Sequence, residues 1–372
     1  RKGGRAMKRK RRAETAGVGQ PALARLAALI RKNEPVLFVT GSGISAPSGI
    51  PTFRGANNAV WANWIMDWGT RARFLADPRT WWNTFWLPAH VVAYEDQPSA
   101  PGGRPRTRTY QPNAAHSAIA RICQRHPRTA VVTQNIDELH QRAGLPLGQL
   151  VEVHGRQGLL KCVAAGCPFA TTESVEAPPM SLAFVEALPA EAACDAAGQA
   201  PSEAVAGSPR AVQLEGPLPT CPACRAPAMP QSLFFDELYE SHTFYQYRKV
   251  RRWLRGAKAV VFAGTSHAVT VTHNALETAA ERRIECYDFN LHVPEMPSLP
   301  DVVPPLTVYH VLGGCELTLP LLAALVEDDS GRIHEGIDSM WREGKSTLNV
   351  AALPRRRGAK KKKTSRRGGQ QR

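Results

Sequence analysis

The stretch Thr40-Gly-Ser-Gly-Ile-Ser-Ala-Pro-Ser-Gly-Ile-Pro-Thr-Phe-Arg54 follows the apolar run Pro35-Val-Leu-Phe-Val39 without a spacer. A buried strand running into a glycine-rich turn lets backbone N–H groups approach a pyrophosphate, at the positive end of a following helix. The short pattern Gly41-x-Gly43-x-x-Ala46 is common in tight turns; the longer run is more particular. Gly49 and Pro51 bracket Ile50 and end the helix early, which puts Phe53 and Arg54 on a loop able to fold back over a nucleotide. A hydride-transfer domain would instead continue through a helix into a second strand with an acidic ribose ligand about 20 residues on. Here that interval holds Trp61, Trp64 and Trp68 and no strand pattern. The stretch predicts a dinucleotide site of another kind than a dehydrogenase's.

Five further apolar runs read as buried strands: Ala130–Gln134, Gln149–His154, Ala257–Ala263, Ile284–Phe289 and Leu306–Val311. Each ends in a polar or glycine cluster, in turn Asn135–His140, His154-Gly155, Gly264-Thr-Ser266, Asn290 and Gly313-Gly-Cys315. An open parallel sheet places its ligand at the carboxyl ends of its strands, so these clusters predict one composite site. Helical spacing marks Pro21–Arg31, with Leu23, Leu26, Ala27 and Ile30 on one face. Pro112-Asn113 opens another helix whose Ala114, Ile119 and Ile122 face the core, with His116 as a structural residue of its first turn. Asp77-Pro78 starts a short helix before Trp81-Trp82-Asn-Thr-Phe85-Trp86, read as an aromatic cluster packed on itself. Residues 97–112 are a polar loop.

Cys162-x4-Cys167 and Cys221-x2-Cys224 lie between the third and fourth strands. Two close pairs predict a tetrahedral zinc site rather than disulfides, and four thiolates leave no position for water, so one zinc ion would be structural. The 53 residues between the pairs, 168–220, are rich in Ala, Pro, Glu and Ser and read as an insertion looped out of the zinc module. Cys123, Cys194 and Cys286 read as free, mostly buried thiols.

The chain of 372 residues has a formal net charge of +15, and its location matters more than its size. Residues 1–12 carry eight Lys or Arg and residues 355–372 carry ten, with no acidic residue in either segment. That leaves 29 basic against 32 acidic residues in 13–354. Lys8–Arg12 and Arg355–Lys363 are too charged and too poor in apolar residues to fold alone. They suit nuclear import and sequence-independent contact with DNA or nucleosomes. No run of about 18 apolar residues and no secretory signal is present, which predicts a soluble intracellular protein without a membrane partner.

The glycine-rich turn, Thr133-Gln-Asn-Ile-Asp-Glu-Leu-His140, Val153-His-Gly155, the two cysteine pairs and Gly264-Thr-Ser266 occur in that order. With them the chain resembles the sirtuins, NAD-dependent protein deacylases, over residues 21–326. The resemblance implies an α/β fold: a Rossmann-like parallel six-stranded sheet with helices on both faces, plus a small zinc-binding and helical domain. In the implied layout residues 1–20 are a basic tail, 21–326 the catalytic domain with a zinc module at about 156–230, and 327–372 an extension ending in the polybasic tail. NAD and an acyl-lysine of a protein substrate would share the cleft between the domains.

By position, the resemblance implies that Gly41, Gly43, Ser45, Ile50, Pro51, Phe53 and Arg54 hold the pyrophosphate and cover the nicotinamide ribose. Gln134, Asn135, Ile136 and Asp137 would take the nicotinamide ring, with Asn135 and Asp137 also catalytic. Gly264, Thr265, Ser266, Asn290 and Cys315 would hold the adenosine half. His154 would be the general base at the ribose hydroxyls, a task suited to a neutral imidazole. Products would be free lysine, nicotinamide and O-acyl-ADP-ribose. Leu233, Phe234 and Phe235 would pair with substrate as an added strand.

This sequence departs from the family pattern at three places. Ser42 replaces the usual Ala, Phe235-Asp236-Glu237 stands where Phe-Gly-Glu is usual, and the usual Thr after Asn290 is missing with Pro294 close behind. The Tyr and Arg with which desuccinylating members hold an acyl carboxylate have no counterpart in Gly55–Trp64, which implies neutral acyl groups, acetyl first. The expected targets are histones or other nuclear proteins, and the expected location is the nucleus. Two alternatives are a protein mono-ADP-ribosyltransferase using the same nicotinamide cleavage, and a chromatin-binding scaffold. Retention of Asn135, Asp137 and His154 together argues against the scaffold.

Overall fold

The computed structural model of the chain describes residues 19–50, 52, 65–90, 110–167, 169, 175–176, 180, 182–185, 211–295, 306–328 and 350–352. Pro51, Phe53, Arg54, the stretch 55–64, loop residues 97–109, Cys194 and both basic tails lie outside the described residues.

Six parallel strands stand where the apolar runs put them: β1 Val36–Thr40, β2 Thr129–Thr133, β3 Leu150–Glu152, β9 Ala259–Ala263, β10 Glu285–Asn290 and β11 Val308–Leu312. A seventh strand, β12 Val350–Ala352, pairs antiparallel with β11. The sheet order is β12-β11-β10-β9-β1-β2-β3. The six parallel strands are as expected, and the antiparallel edge strand β12, from the extension after residue 327, is an addition to them. Three residues are too few to carry a readable alternation, and only the open edge of β11 reveals them.

Both faces of the sheet are covered, which is why β1, β2 and β9 are buried at every position. Val36 and Phe38 face helices α1 (Gly19–Arg31), α2 (Ala114–Arg125) and α5 (Cys315–Glu327). Leu37 and Val39 face α3 (Tyr247–Gly256) and α4 (Thr270–Arg282). β1 is the pivot: the chain leaves it for β2 on one side and returns to β9 on the other. A crevice at the carboxyl ends of β1 and β9 is where such a sheet binds ligands.

Local signals explain the helix starts. Asn113 accepts from the Ala115 amide at 2.9 Å and Asp77 from the Thr80 amide at 3.1 Å, so both act as N-caps. Directly after β1, however, residues 41–50 form no α-helix. Two 3-10 turns, Ser42–Ile44 and Ala46–Ser48, end at Gly49 in the left-handed region with φ +94°. The helix expected to end early is replaced outright, because a left-handed Gly49 so close to β1 leaves no room for full turns.

The small module is an antiparallel sheet of β5 (Val175–Glu176), β4 (Gly155–Cys162) and β8 (Ala228–Ser232) beside the aromatic helices of residues 71–90. The aromatic residues do not pack only on one another. Phe74, Trp81, Trp82 and Trp86 enclose Leu160, Met229 and Phe234 and form this module's core. Nor is 168–220 wholly looped out. β5 joins β4, β6 (Leu182–Val185) pairs with β7 (Ala211–Leu214), and Leu214 is buried in the aromatic core. Arg79 and Asn83 bond the backbone of Leu214 at 2.9 and 3.0 Å, which anchors the end of the insertion.

Candidate active site

The loops after β1 and β9 touch backbone to backbone. Gly43 N–H donates to the Gly264 carbonyl at 2.8 Å and Gly41 N–H to that of Ala263 at 3.1 Å. A Cβ on Gly41 or Gly43 would lie 2.8 Å from the Gly264 oxygen, and one on Gly264 would lie 2.2 Å from the Ile44 nitrogen. These glycines therefore serve close approach of two loops at the switch point. Their amide hydrogens are already used, which corrects the expectation that those two donors reach a pyrophosphate. Ser45 follows directly and is fully buried, and Ile50 N–H bonds back to the Ser45 carbonyl at 3.4 Å.

Around Ser45 the ends of β1 and β2 build a polar network. Asn135 donates to the Ser45 hydroxyl at 3.0 Å and to the Gly41 carbonyl at 3.1 Å. Ser45 donates to Asp137 Oδ2 at 2.6 Å, and Asp137 Oδ1 accepts from the Leu139 amide at 3.0 Å. His116 Nε2 lies 3.4 Å from the same hydroxyl, so this buried histidine belongs to the network rather than serving α2 alone. Its pKa is pushed down to about 4 by burial, against the pull of Asp137. Gln134 Nε2 reaches the Thr40 carbonyl at 3.2 Å and Thr265 Oγ1 at 3.3 Å, which spans the crevice. Ile136 turns its side chain toward the aromatic core, and its carbonyl accepts from Gln157 at 2.9 Å.

His154 sits just past β3. Burial pushes its pKa down to about 4, while a hydrogen bond to the Gln134 backbone pulls the other way. The Tyr239 hydroxyl lies 3.1 Å from His154 Nε2, and Tyr239 stacks on Tyr247 with ring centroids 4.6 Å apart. Tyr239 carries no motif, and only the fold brings it to His154. A histidine held neutral stays competent as a base well below its ordinary pKa of about 6.5. The acid limb of kcat/KM for an acyl-lysine peptide is therefore expected below pH 6, and a limb at pH 6.5 or higher would contradict this environment. Stability falls in the same direction, starting at higher pH. The unfolded chain protonates His116 and His154 near pH 6.5 and the fold only near 4, so the urea midpoint should fall as pH drops through that window.

Across the crevice, Thr265 is buried and Asn290 Nδ2 donates to the Thr265 carbonyl at 3.1 Å and to Asp288 at 2.7 Å. Ser266 is exposed. Cys315 opens α5, its thiol 3.4 Å from the Phe289 carbonyl and its pKa pushed up to about 12 by burial, so it is an inert group.

The expected substrate edge is only partly as anticipated. Phe234 is 6% exposed, with its ring 5.4 Å from Trp81 and 5.9 Å from Trp86. It is a core residue, because just past the end of β8 its ring packs into the aromatic cluster of Trp81 and Trp86. Phe235 is 51% exposed. The amides of Leu233, Phe234 and Phe235 donate to the His154 carbonyl, Glu237 and the Gly69 carbonyl. The Phe234 carbonyl accepts from the Glu237 amide at 3.0 Å, so the carbonyls of Leu233 and Phe235 are what this trio can still offer a peptide backbone.

Asp236 has a clear task. Its two oxygens accept from the Arg71 and Ala72 amides at 2.6 and 2.9 Å, capping the helix Arg71–Ala76 from a distant segment. Next to it, Glu237 pairs with the fully buried Lys161, which also donates to the Ser232 carbonyl at 2.6 Å and Tyr245 at 2.9 Å. Replacing Asp236 with Ala is expected to cost about 1 kcal/mol in thermal unfolding, the worth of a helix cap. It should also raise KM for peptide more than it lowers kcat, and unchanged stability would refute the capping role.

In the cysteine cluster the four Sγ atoms of Cys162, Cys167, Cys221 and Cys224 lie within 4.8 Å of one another. Two of the separations are 3.7 and 3.9 Å. A zinc–sulfur bond of about 2.3 Å gives tetrahedron edges of about 3.8 Å, so the four thiols fit zinc. Burial works to raise the Cys221 thiol, but the Cys224 and Ala223 amides outweigh it and bring its pKa down to about 7, toward the thiolate a metal needs. The crevice fits NAD by its polar lining: the amide of Gln134, the side-chain amide oxygens of Asn135 and Asn290, the hydroxyls of Ser45 and Thr265 and the carboxylate of Asp137 match a carboxamide and ribose diols.

A profile of the Sir2 family matches residues 41–271. The NAD-dependent deacetylase sir2E of Dictyostelium discoideum is 32% identical over 320 residues, which cover 85% of this chain and 80% of that one. The mitochondrial NAD-dependent protein deacylase sirtuin-5 of Danio rerio is 29% identical over 299 residues, 78% and 82% of the two chains. Among solved structures, a Sir2 homologue–NAD complex shares the fold with a TM-score of 0.53 at 22% identity, over 81% of this chain and 93% of that one.

Proposed function

Since the chain belongs to the Sir2 family of NAD-dependent protein deacetylases and deacylases, we propose that it removes acetyl and other neutral acyl groups from lysines of histones or other nuclear proteins. The observation that carries the site assignment is the convergence of Ser45, Asn135, Asp137 and His154 at adjoining strand ends. Bound NAD supplies a ribose carbon activated by its nicotinamide leaving group.

The chain's own residues do the rest. Gln134, Asn135 and Asp137 hold the carboxamide and ribose side, with Asn135 locked by Gly41 and Ser45 so that its amide is preset rather than mobile. His154, neutral and steadied by Tyr239, takes a proton from a ribose hydroxyl at Nε2. Thr265, Ser266 and Asn290 lie on the side proposed for adenosine. Leu233 and Phe235 border the acyl-lysine entrance, Leu233 being tied to the His154 carbonyl at 2.8 Å.

The nuclear setting is supported by the two cationic tails, which suit import and polyanion contact. Incubation with NAD and matched acetylated and succinylated histone-tail peptides tests the reading. Nicotinamide release with faster loss of acetyl than succinyl is the expected result. Faster desuccinylation overturns the acyl preference, and ADP-ribose fixed to protein without peptide deacylation favours transferase chemistry. Exclusion of the tagged chain from nuclei overturns the proposed location.

A further inference from the structure

The body of the chain between the tails is slightly acidic, yet one helix on its surface is not. Helix α3 reads Tyr247-Arg-Lys-Val-Arg-Arg-Trp-Leu-Arg-Gly256 and buries Tyr247, Val250 and Leu254 against the sheet. The spacing 3, 4 of those residues throws Arg248, Arg251, Arg252 and Arg255 to the outside, where all four are exposed, with Lys249 half-buried beside them. Lys258 follows, also exposed, so residues 247–258 carry six cations and no carboxylate. Arg282 and Arg283, at the end of α4, are exposed too, and Arg282 reaches the Leu254 carbonyl at 3.5 Å.

None of these eight cations takes part in an ion pair among the described residues. The carboxylates nearest in sequence, Glu240, Glu277, Glu281 and Glu285, leave them unpaired, Glu285 being paired with Arg25. At the far end of α3 a cleft of about 250 Å³ is lined by Arg128, Gln149, Arg252 and Trp253, with no carboxylate in its wall.

We propose that the exposed face of α3 is a docking stripe for the sugar-phosphate backbone of a duplex nucleic acid, separate from the basic tails. Arg248 to Arg255 repeat at i, i+3, i+4 and i+7, which spreads four guanidinium groups over about 10 Å of helix. A duplex presents one negative charge per about 1.7 Å of its axis, so a straight cationic stripe meets regular charge without a shaped pocket. The planar guanidinium fork pairs two phosphate oxygens at once. An acidic protein surface is less well matched. Its interface would need apolar anchors at the centre, and none of the exposed large apolar side chains lies on α3.

The stripe starts at the catalytic cleft, because Tyr247 stacks on Tyr239, the partner of His154. It runs from there toward the amino ends of the strands, where Lys258 N–H bonds the Pro35 carbonyl at 2.7 Å. A duplex along α3 would bring proteins carried on that duplex to the cleft's rim.

The test uses the full chain with a labelled 30-base-pair duplex of mixed sequence, titrated across a salt series by fluorescence polarisation. Arg248→Gln/Arg251→Gln/Arg252→Gln/Arg255→Gln is expected to weaken binding at least about ten-fold near 0.1 M salt. It should also flatten the slope of log K against log salt by roughly 0.9 for each phosphate that the variant no longer neutralises. The four-fold Arg→Lys variant keeps the charges and should keep most of the slope. Deacylation of a free acetyl-lysine peptide should be the same in all three proteins, which shows folding and separates this proposal from the enzymatic one. An unchanged slope in the Gln variant overturns the proposal and leaves duplex binding to the tails. Loss of binding to polyglutamate with duplex binding intact would assign the stripe to an acidic protein instead.

Discussion

His154→Ala is expected to lower kcat for an acetyl-lysine peptide by about 10² to 10⁴-fold, the range that a positioned general base supplies. The ring is kept neutral by burial, its Nε2 faces the Tyr239 hydroxyl, and the backbone at Gln134 ties it to the strand end that carries Asn135 and Asp137. Removing the imidazole takes away the proton acceptor and leaves the Ser45, Asn135 and Asp137 network intact, since none of those bonds involves His154. Nicotinamide exchange into NAD, which needs that network and not the base, should therefore survive better than deacylation. Tyr239→Phe separates positioning from base chemistry: the hydroxyl is lost and the stacking kept, so a shifted pH profile with a modest fall in kcat is expected. If His154→Ala retained more than a tenth of the wild-type turnover, the base assignment would fail.

The second large effect is on the metal. Cys221→Ser should take zinc content from one ion per chain to near zero and lower the melting temperature by many degrees. Structural zinc in isolated finger peptides contributes about 10 to 16 kcal/mol to folding. Here the cluster joins Cys162 at the end of β4 to the turn before β8; β4 carries Lys161, and β8 leads into Phe234 and the segment through Asp236. Loss of zinc should therefore loosen the substrate edge before it disturbs the large sheet, raising KM for peptide while NAD still protects the large domain from proteolysis. Full zinc content in the Cys221→Ser protein would refute the four-thiolate site. Chelator treatment of the wild type should reproduce the effect slowly, because Cys162, Cys167 and Cys221 are buried and only Cys224 is exposed.

Much of the large domain was legible because its signals are local. Each apolar run of about five residues ended in a polar or glycine cluster, and a sheet covered on both faces leaves such runs little other use. The cysteine pairs were legible for a similar reason: ligands with two or four residues between them on one knuckle announce themselves. Phe234 and the aromatic helices were harder. Whether Phe234 faces a substrate or a core depends on how β8 meets Trp81 and Trp86, which are distant in sequence.

Residue type and spacing along the chain suffice for the family, the order of the strands' polar ends, the cysteine ligand set and the cationic tails. Four other matters emerge only once the chain is folded. Gly41 and Gly43 serve the close approach to Gly264 and give their amide hydrogens to the carbonyls of Ala263 and Gly264. Asp236 caps the helix Arg71–Ala76. Tyr239 is the partner of His154, and the cations of α3 gather on one unpaired face. Each of these depends on a contact between segments far apart in the chain, or on which side of a helix the sheet covers, and no local pattern encodes either.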